Sequence, residues 1–260
     1  MLAKLLKYEI PTMGRKLGPL FLAWLVASVL LGVSLDPLND GYLQIIAPLI
    51  YGMVTTAVFV MYIILIIQRY NSSLLGDEAY FNLTLPVSMN EHIANKAISA
   101  LVWTVITGIA ALASVIIIAI VSGALNTQGE LWRRLVEGFK GFPAVGYLVF
   151  LEVTVVGVFS IVKSILAIYA AITIGHQVSQ RTTLASIGAY IVLMIIESSI
   201  GSLFVSLGLK AEANMYINEA FNDLEGFHLI MLVSLITTLA FSAVYFFICK
   251  QLMEKRLNLA

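Results

Sequence analysis

The sequence predicts an all-α membrane protein with six transmembrane helices. Its 260 residues are 60% hydrophobic and 12% charged, whereas a soluble domain is about half apolar and about a quarter charged. Several apolar runs are longer than the roughly 20 residues that cross a bilayer core of about 30 Å. Lysine and arginine are unequally divided between the two sets of connections, which is typical of membrane topology. The polar remainder is too short for a sizeable soluble domain.

Residues 1–17 are predicted to form an amphipathic helix that lies in the membrane interface. Leu2, Leu5, Leu6 and Ile10 recur at helical spacing, with Lys4 and Lys7 off that stripe, and an apolar stripe with basic flanks suits the interface. Pro11 is expected to bend or break this helix, because proline removes a backbone hydrogen bond. An ordinary cytoplasmic tail is the alternative.

The six spans are predicted at 19–35, 42–67, 97–124, 143–174, 182–209 and 228–250. The second, third and fourth are longer than a perpendicular crossing needs, so they tilt or project from the bilayer. No internal repeat or low-complexity segment is evident, and residues 1–260 are read as a single domain.

Both termini are predicted to be cytoplasmic in the cell membrane. With six spans the termini share one side, and the basic residues on that side are Lys4, Lys7, Arg15, Lys16, Arg69, Lys96, Arg181, Lys250, Lys255 and Arg256. The other side has only Arg133, Arg134, Lys140 and Lys210. Since cytoplasmic loops are enriched in lysine and arginine, the connections 68–96 and 175–181 are also placed in the cytoplasm.

The connection 68–96 is polar yet carries an unusual number of apolar side chains, which predicts a docking surface. These are Leu74, Leu75, Tyr80, Phe81, Leu83, Leu85 and Val87. Ser72 or Ser73 is expected to cap a short helix parallel to the membrane, which Pro86 would end. Ser88 and Glu91 have the spacing of a capping box and are expected to start the third span. A merely long connector is the alternative.

Three charged residues fall inside predicted spans: Glu152 and Lys163 in the fourth and Glu197 in the fifth. A charge at the bilayer centre costs about 2.5–3.5 kcal/mol on insertion scales, so such groups face partners or a wet cavity. Lys163 and Glu197 are expected to pair, because both lie near mid-membrane on neighbouring antiparallel helices. Glu152 lies closer to the outer surface, where water can hydrate it. These residues either line a substrate path or form a structural ion pair.

Small residues in the fifth span, Ser198, Gly201, Ser202, Ser206 and Gly208, have the spacing that lets helices approach closely. Ser28 and Gly32 form a shorter version in the first span. The sequence leaves open whether these positions pack within one chain or between two copies.

Motifs of the common enzyme classes are missing from the sequence. It has no phosphate-binding GK[ST] loop, no HExxH pair and no GxSxG elbow. Its single cysteine, Cys249, excludes an internal disulfide and a multi-cysteine zinc site. We therefore expect no catalytic residues, no metal and no cofactor on this chain, and the zero net charge gives no reason to expect a nucleic-acid partner.

Three segments resemble the permease subunits of type-2 ABC transporters from Gram-positive bacteria: MLAKLLKYEI, GDEAYFNLTLPVSMNEHIANK and GHQVSQRTTLASIG. The resemblance implies a homodimer with two cytoplasmic ATPase subunits, which hold the ATP and magnesium. It also implies that a cytoplasmic coupling helix after the second span enters the ATPase, so that Asp77, Glu78, Tyr80 and Phe81 face it, with Leu74 and Leu75 at its start. Within the family, the chain is similar to exporters of amphipathic cytolytic peptides, such as phenol-soluble modulins, and to permeases that give resistance to antimicrobial peptides.

The sequence thus favours the membrane subunit of an ATP-driven exporter of hydrophobic or amphipathic substrates. The alternative is an ATPase-independent channel or ion-coupled carrier that uses Glu152, Lys163 and Glu197. A membrane scaffold without transport is a third possibility.

Overall fold

A computed structural model describes residues 2–35, 41–76, 79, 84, 87–123, 133, 137–138, 141, 144–178, 181–210 and 224–256. Six long helices make up most of this part of the chain: α1 (Leu2–Ser34), α2 (Leu43–Leu74), α3 (Met89–Val121), α4 (Ala144–Gly175), α5 (Thr182–Lys210) and α6 (Leu224–Arg256). Each is long and apolar enough to cross a membrane. The predicted all-helical, multi-pass architecture is confirmed.

Helix α1 continues without interruption through Pro11, so the break predicted there is wrong. Pro11 lacks the backbone N–H that would bond to the carbonyl of Lys7, and side-chain hydrogen bonds reach the carbonyls beside it. The indole Nε1 of Trp103, on α3, donates a hydrogen bond of 3.2 Å to the carbonyl of Ile10. The hydroxyl of Thr12 donates to the carbonyl of Tyr8 at 2.9 Å. The predicted interfacial segment 1–17 and the first span therefore belong to one helix.

Contacts divide the chain into two compact units, and the first lies within Met1–Gln68 and Ile98–Pro143. Neutral side chains join its helices: Trp24 Nε1 donates to Thr55 Oγ1 at 2.8 Å, and the hydroxyls of Tyr51 and Ser114 are 2.9 Å apart. Gly32 permits close packing of α1 on α3, since a Cβ at this position would lie 2.7 Å from Val121 Cβ. Gly32 thus packs within one chain.

The second unit lies within Arg69–Ala97 and Ala144–Ala260. Helix α4 packs against both α5 and α6. At the end of α4, a Cβ on Gly175 would lie 2.6 Å from the backbone nitrogen of Ser186, so glycine is needed for this close approach to α5. Helices α2 and α3 contribute to both units, so the division follows no boundary in the sequence.

The capping box predicted for α3 is confirmed. The backbone nitrogen of Ser88 donates to Glu91 Oε2 at 3.3 Å, and that of Glu91 donates to Ser88 Oγ at 3.4 Å. The capping role predicted for Ser72 or Ser73 is wrong, because both lie in the last turn of α2. The hydroxyl of Ser73 instead donates to the carbonyl of Arg69 at 2.8 Å. Helix α2 therefore extends through polar residues beyond the predicted end of the second span, to Leu74.

Candidate functional site

Lys163 of α4 and Glu197 of α5 form a hydrogen-bonded ion pair, as predicted. Their side chains are 21% and 20% exposed. The hydroxyl of Tyr245, on α6, donates to the second carboxylate oxygen, Glu197 Oε2, at 2.9 Å. Glu197 therefore links α4, α5 and α6 through one carboxylate. A charge-assisted hydrogen bond of this kind is roughly twice as strong as a neutral one.

Glu152 also has a partner, which corrects the expectation that water alone hydrates it. Nδ1 of His228 lies 2.8 Å from both carboxylate oxygens of Glu152. Because a carboxylate only accepts hydrogen bonds, Nδ1 is the donor to Glu152. Glu152 lies eleven residues before Lys163 on α4, which is about 16 Å along the helix axis. The two charged clusters are therefore separate.

The Glu152–His228 pair lies in the wall of a cavity of about 410 Å³ between α4 and α6. The remaining wall is aliphatic apart from one methionine, and is formed by Leu151, Val155, Val156, Leu229, Met231, Leu232 and Leu235. A cavity of this volume is within the range of small-ligand sites. Its composition, mostly apolar with one polar pair, is also typical of such sites.

A second cluster joins the connection between α2 and α3 to the rest of this unit. Tyr70, near the end of α2, stacks on Tyr169 of α4 with ring centroids 4.0 Å apart and planes inclined by 9°. The hydroxyl of Tyr70 lies 2.9 Å from Thr173 Oγ1 and 3.6 Å from the sulfur of Met253. The hydroxyl of Tyr169 donates to the carbonyl of Lys96, at the start of α3, at 3.2 Å. We call these residues the tyrosine cluster.

All of these groups are buried, and Tyr70 is completely so. Three nearby polar atoms are buried without a hydrogen-bond partner in the described part of the chain: Asn71 Oδ1, His92 Nε2 and Asn95 Oδ1. Each buried unsatisfied polar atom costs about 1–3 kcal/mol. The ends of α2 and α3 that flank the connection thus combine close aromatic packing with unsatisfied hydrogen-bonding atoms. We call this region the base of the connection.

Of the predicted coupling residues, the structure describes only Leu74 and Leu75. Leu74 ends α2 and is fully buried, so its side chain packs inside this unit. Leu75 follows it and is half-buried. Asp77, Glu78, Tyr80 and Phe81 lie outside the described residues, as do Leu83, Leu85 and Pro86. The side chain of Leu74 is therefore not exposed for docking.

Sequence reasoning missed Tyr245, His228 and the tyrosine cluster. Tyrosine and histidine carry a polar group that needs a partner when it is buried. Their presence within apolar runs was the sequence feature that could have indicated these contacts. Among the described residues, no group of three or more histidine, cysteine or acidic side chains is placed to hold a metal ion.

No protein-family model, no curated protein and no solved structure matches this chain. The function is consequently inferred from the geometry of its own residues.

Proposed function

We propose that this chain is the membrane subunit of an ATP-driven exporter for hydrophobic or amphipathic substrates, of which amphipathic peptides are the favoured class. Two copies would each bind a cytoplasmic ABC ATPase through the connection between α2 and α3. The ATP, the magnesium and the hydrolytic chemistry belong to the ATPase. This chain moves the substrate across the cell membrane.

The observation that carries the proposal is the tyrosine cluster. A force applied to the connection reaches α4 directly, because the Tyr70 ring stacks on Tyr169 and the Tyr70 hydroxyl is bonded to Thr173. It reaches α6 through Met253. The same two helices line the cavity, and both bond to Glu197 of α5 through Lys163 and Tyr245. Displacement of the connection would therefore move the groups best placed to meet a substrate.

The unsatisfied atoms of Asn71, His92 and Asn95 support a second arrangement of this base. Interiors with discrete packing arrangements switch between them rather than deform continuously. Three unmet hydrogen bonds lower the stability of the present arrangement. An arrangement that satisfies them would be favoured when the ATPase pulls or pushes on the connection.

The exposed face of α5 supports pairing with a second copy. Ser198, Gly201 and Ser202 are exposed, and nothing lies within 4 Å of a Cβ placed on Gly201. Small residues of this kind are enriched where membrane helices meet. For Ser206 and Gly208, which lie further along α5, the structure describes the helix but not the exposure.

The test is purification of the tagged chain from its native membrane with measurement of nucleotide hydrolysis. We expect a phosphate-loop ATPase to co-purify, and we expect the variant Y80A/F81A to lose both the ATPase and the hydrolysis. The matched control is Y42A/F150A, because Tyr42 and Phe150 are 85% and 69% exposed and lie outside the connection. Equal retention of the ATPase by both variants would contradict the docking site.

The ion-coupled alternative is tested in vesicles that contain only this chain. It predicts uphill transport driven by an ion gradient without nucleotide, and loss of that transport in E197Q. The exporter predicts uphill transport only when the ATPase and ATP are present. Nucleotide-free uphill transport would therefore refute the proposed function.

A further inference from the structure

The cavity between α4 and α6 presents an acidic group in an apolar surrounding. Among the described residues of its wall, Glu152 is the only carboxylate, and the others apart from His228 are uncharged. Both side chains are about one-third exposed (32% for Glu152 and 33% for His228), so they remain accessible from the cavity.

The hydrogen bond from His228 leaves Glu152 able to bind a further group. A carboxylate has about four acceptor sites, and one N–H occupies part of that capacity. Lys163, the cation on the same helix, is about 16 Å away along the axis and is already bonded to Glu197. The carboxylate thus keeps acceptor sites for a further hydrogen-bond donor.

From this geometry we infer that the cavity binds a cationic amphiphile: an ammonium group on Glu152, with the attached hydrocarbon against the aliphatic wall. An ammonium ion has three donors and a full charge, which suit a carboxylate in a weakly polar setting. Contact between a hydrocarbon and the aliphatic wall is favourable because it removes apolar surface from water.

This inference rests on the proposed function for the identity of the ligand, which is the lysine-bearing apolar face of an amphipathic cargo peptide. The cavity holds one ammonium group and adjacent apolar side chains rather than a whole helix, given its volume of about 410 Å³. The site would therefore select cargo by a local pairing of charge and hydrocarbon. Anionic and purely neutral amphiphiles are expected to bind poorly.

The test uses the full chain in phosphatidylcholine nanodiscs and an alkylammonium probe with a photoreactive diazirine in its chain. We expect labelling of the cavity wall, located by mass spectrometry at residues such as Val155 and Leu232. The substitution E152Q should reduce this labelling about tenfold, because glutamine keeps the size and the hydrogen bond to His228 but removes the charge. An alcohol probe of equal length should label wild type and E152Q equally.

Two controls separate binding from folding. E254Q makes the same change at an exposed position at the other end of α6 and should leave labelling unaltered. The single, buried thiol of Cys249 should stay protected from maleimide in E152Q, which confirms that the variant is folded. H228N keeps an N–H near the position of Nδ1 and should retain most of the labelling.

Competition identifies the cargo. A lysine-bearing amphipathic peptide should suppress labelling, whereas the same peptide with acetylated lysines should not. Equal labelling by the amine and alcohol probes, or unchanged labelling in E152Q, would overturn the site, and competition by an aminophospholipid alone would overturn the peptide assignment. The assay needs no ATPase, so its outcome is independent of whether an ATPase co-purifies.

Discussion

Removing the positive charge of Lys163 should destabilise the protein, because it leaves the Glu197 carboxylate without a counter-ion inside the membrane. Loss of one partner of a buried pair costs about 3–5 kcal/mol, and a lone central charge costs about 2.5–3.5 kcal/mol. The two side chains are one-fifth exposed, and Tyr245 still donates to Glu197. We therefore expect about 3 kcal/mol for K163M, at the lower end of the first range.

The substitution K163M/E197M should recover most of this loss. With both charges gone, the two thioether side chains pack without an ion to desolvate, and hydrophobic replacement of a buried pair is often neutral or stabilising. The Tyr245 hydroxyl loses its acceptor, which costs about 1 kcal/mol. The double variant should thus be more stable than K163M although it carries one more substitution.

The measurement is thermal unfolding in nanodiscs, followed with a thiol-reactive fluorogenic maleimide. Cys249 is the sole cysteine and is fully buried, so its reaction reports loss of structure. A change of about 3 kcal/mol corresponds to a decrease of roughly 6–12 °C in the unfolding midpoint for a chain of this size. K16M, at an exposed lysine, is the control and should not move the midpoint. The reasoning is refuted if K163M unfolds with the wild type, or if the double variant unfolds below K163M.

Three further changes test the packing and the coupling. G175A should lower the free energy of unfolding by about 1–3 kcal/mol through overpacking against Ser186. The control G188A adds a methyl group in open space and should not. Equal unfolding midpoints for the two variants would contradict the contact. S88A should cost about 1 kcal/mol by removing the cap of α3, seen as faster amide exchange in its first turn; unchanged exchange would argue against the cap. Y70F keeps the aromatic stack and loses the hydroxyl bonds, so ATP hydrolysis by the complex should persist while transport per ATP falls; an unchanged ratio would remove the hydroxyl of Tyr70 from the coupling.

Hydropathy and charge distribution were sufficient to predict the six helices and one of the two intramembrane pairs. Lys163 and Glu197 could be matched because α4 and α5 are joined by a short connection, which fixes their relative depth. The partner of Glu152 could not be found this way. His228 lies 76 residues further along the chain, at the beginning of a helix whose depth follows a long, polar connection.

Tertiary contacts also overrode local rules. Pro11 should interrupt a helix, yet α1 continues through it, and Trp103, which is 93 residues from Ile10, ties this turn to α3 by donating to the Ile10 carbonyl. Ser73 has the side chain of a capping residue, yet it lies inside α2 and bonds to a carbonyl of its own helix. Such outcomes depend on which helix packs next to the residue, and periodicity does not carry that information.

The side-chain bonds described between helices of the first unit are neutral, whereas those of the second unit include a full ion pair. Trp24 with Thr55, and Tyr51 with Ser114, are neutral pairs, whose strength responds little to ionic strength because no net charges are brought together. Around Lys163 and Glu197 the attraction is between full charges, which solution conditions modify wherever water reaches them. Raising the salt concentration should therefore weaken the attraction between Lys163 and Glu197 as far as water reaches it, and leave the neutral bonds of the first unit unchanged.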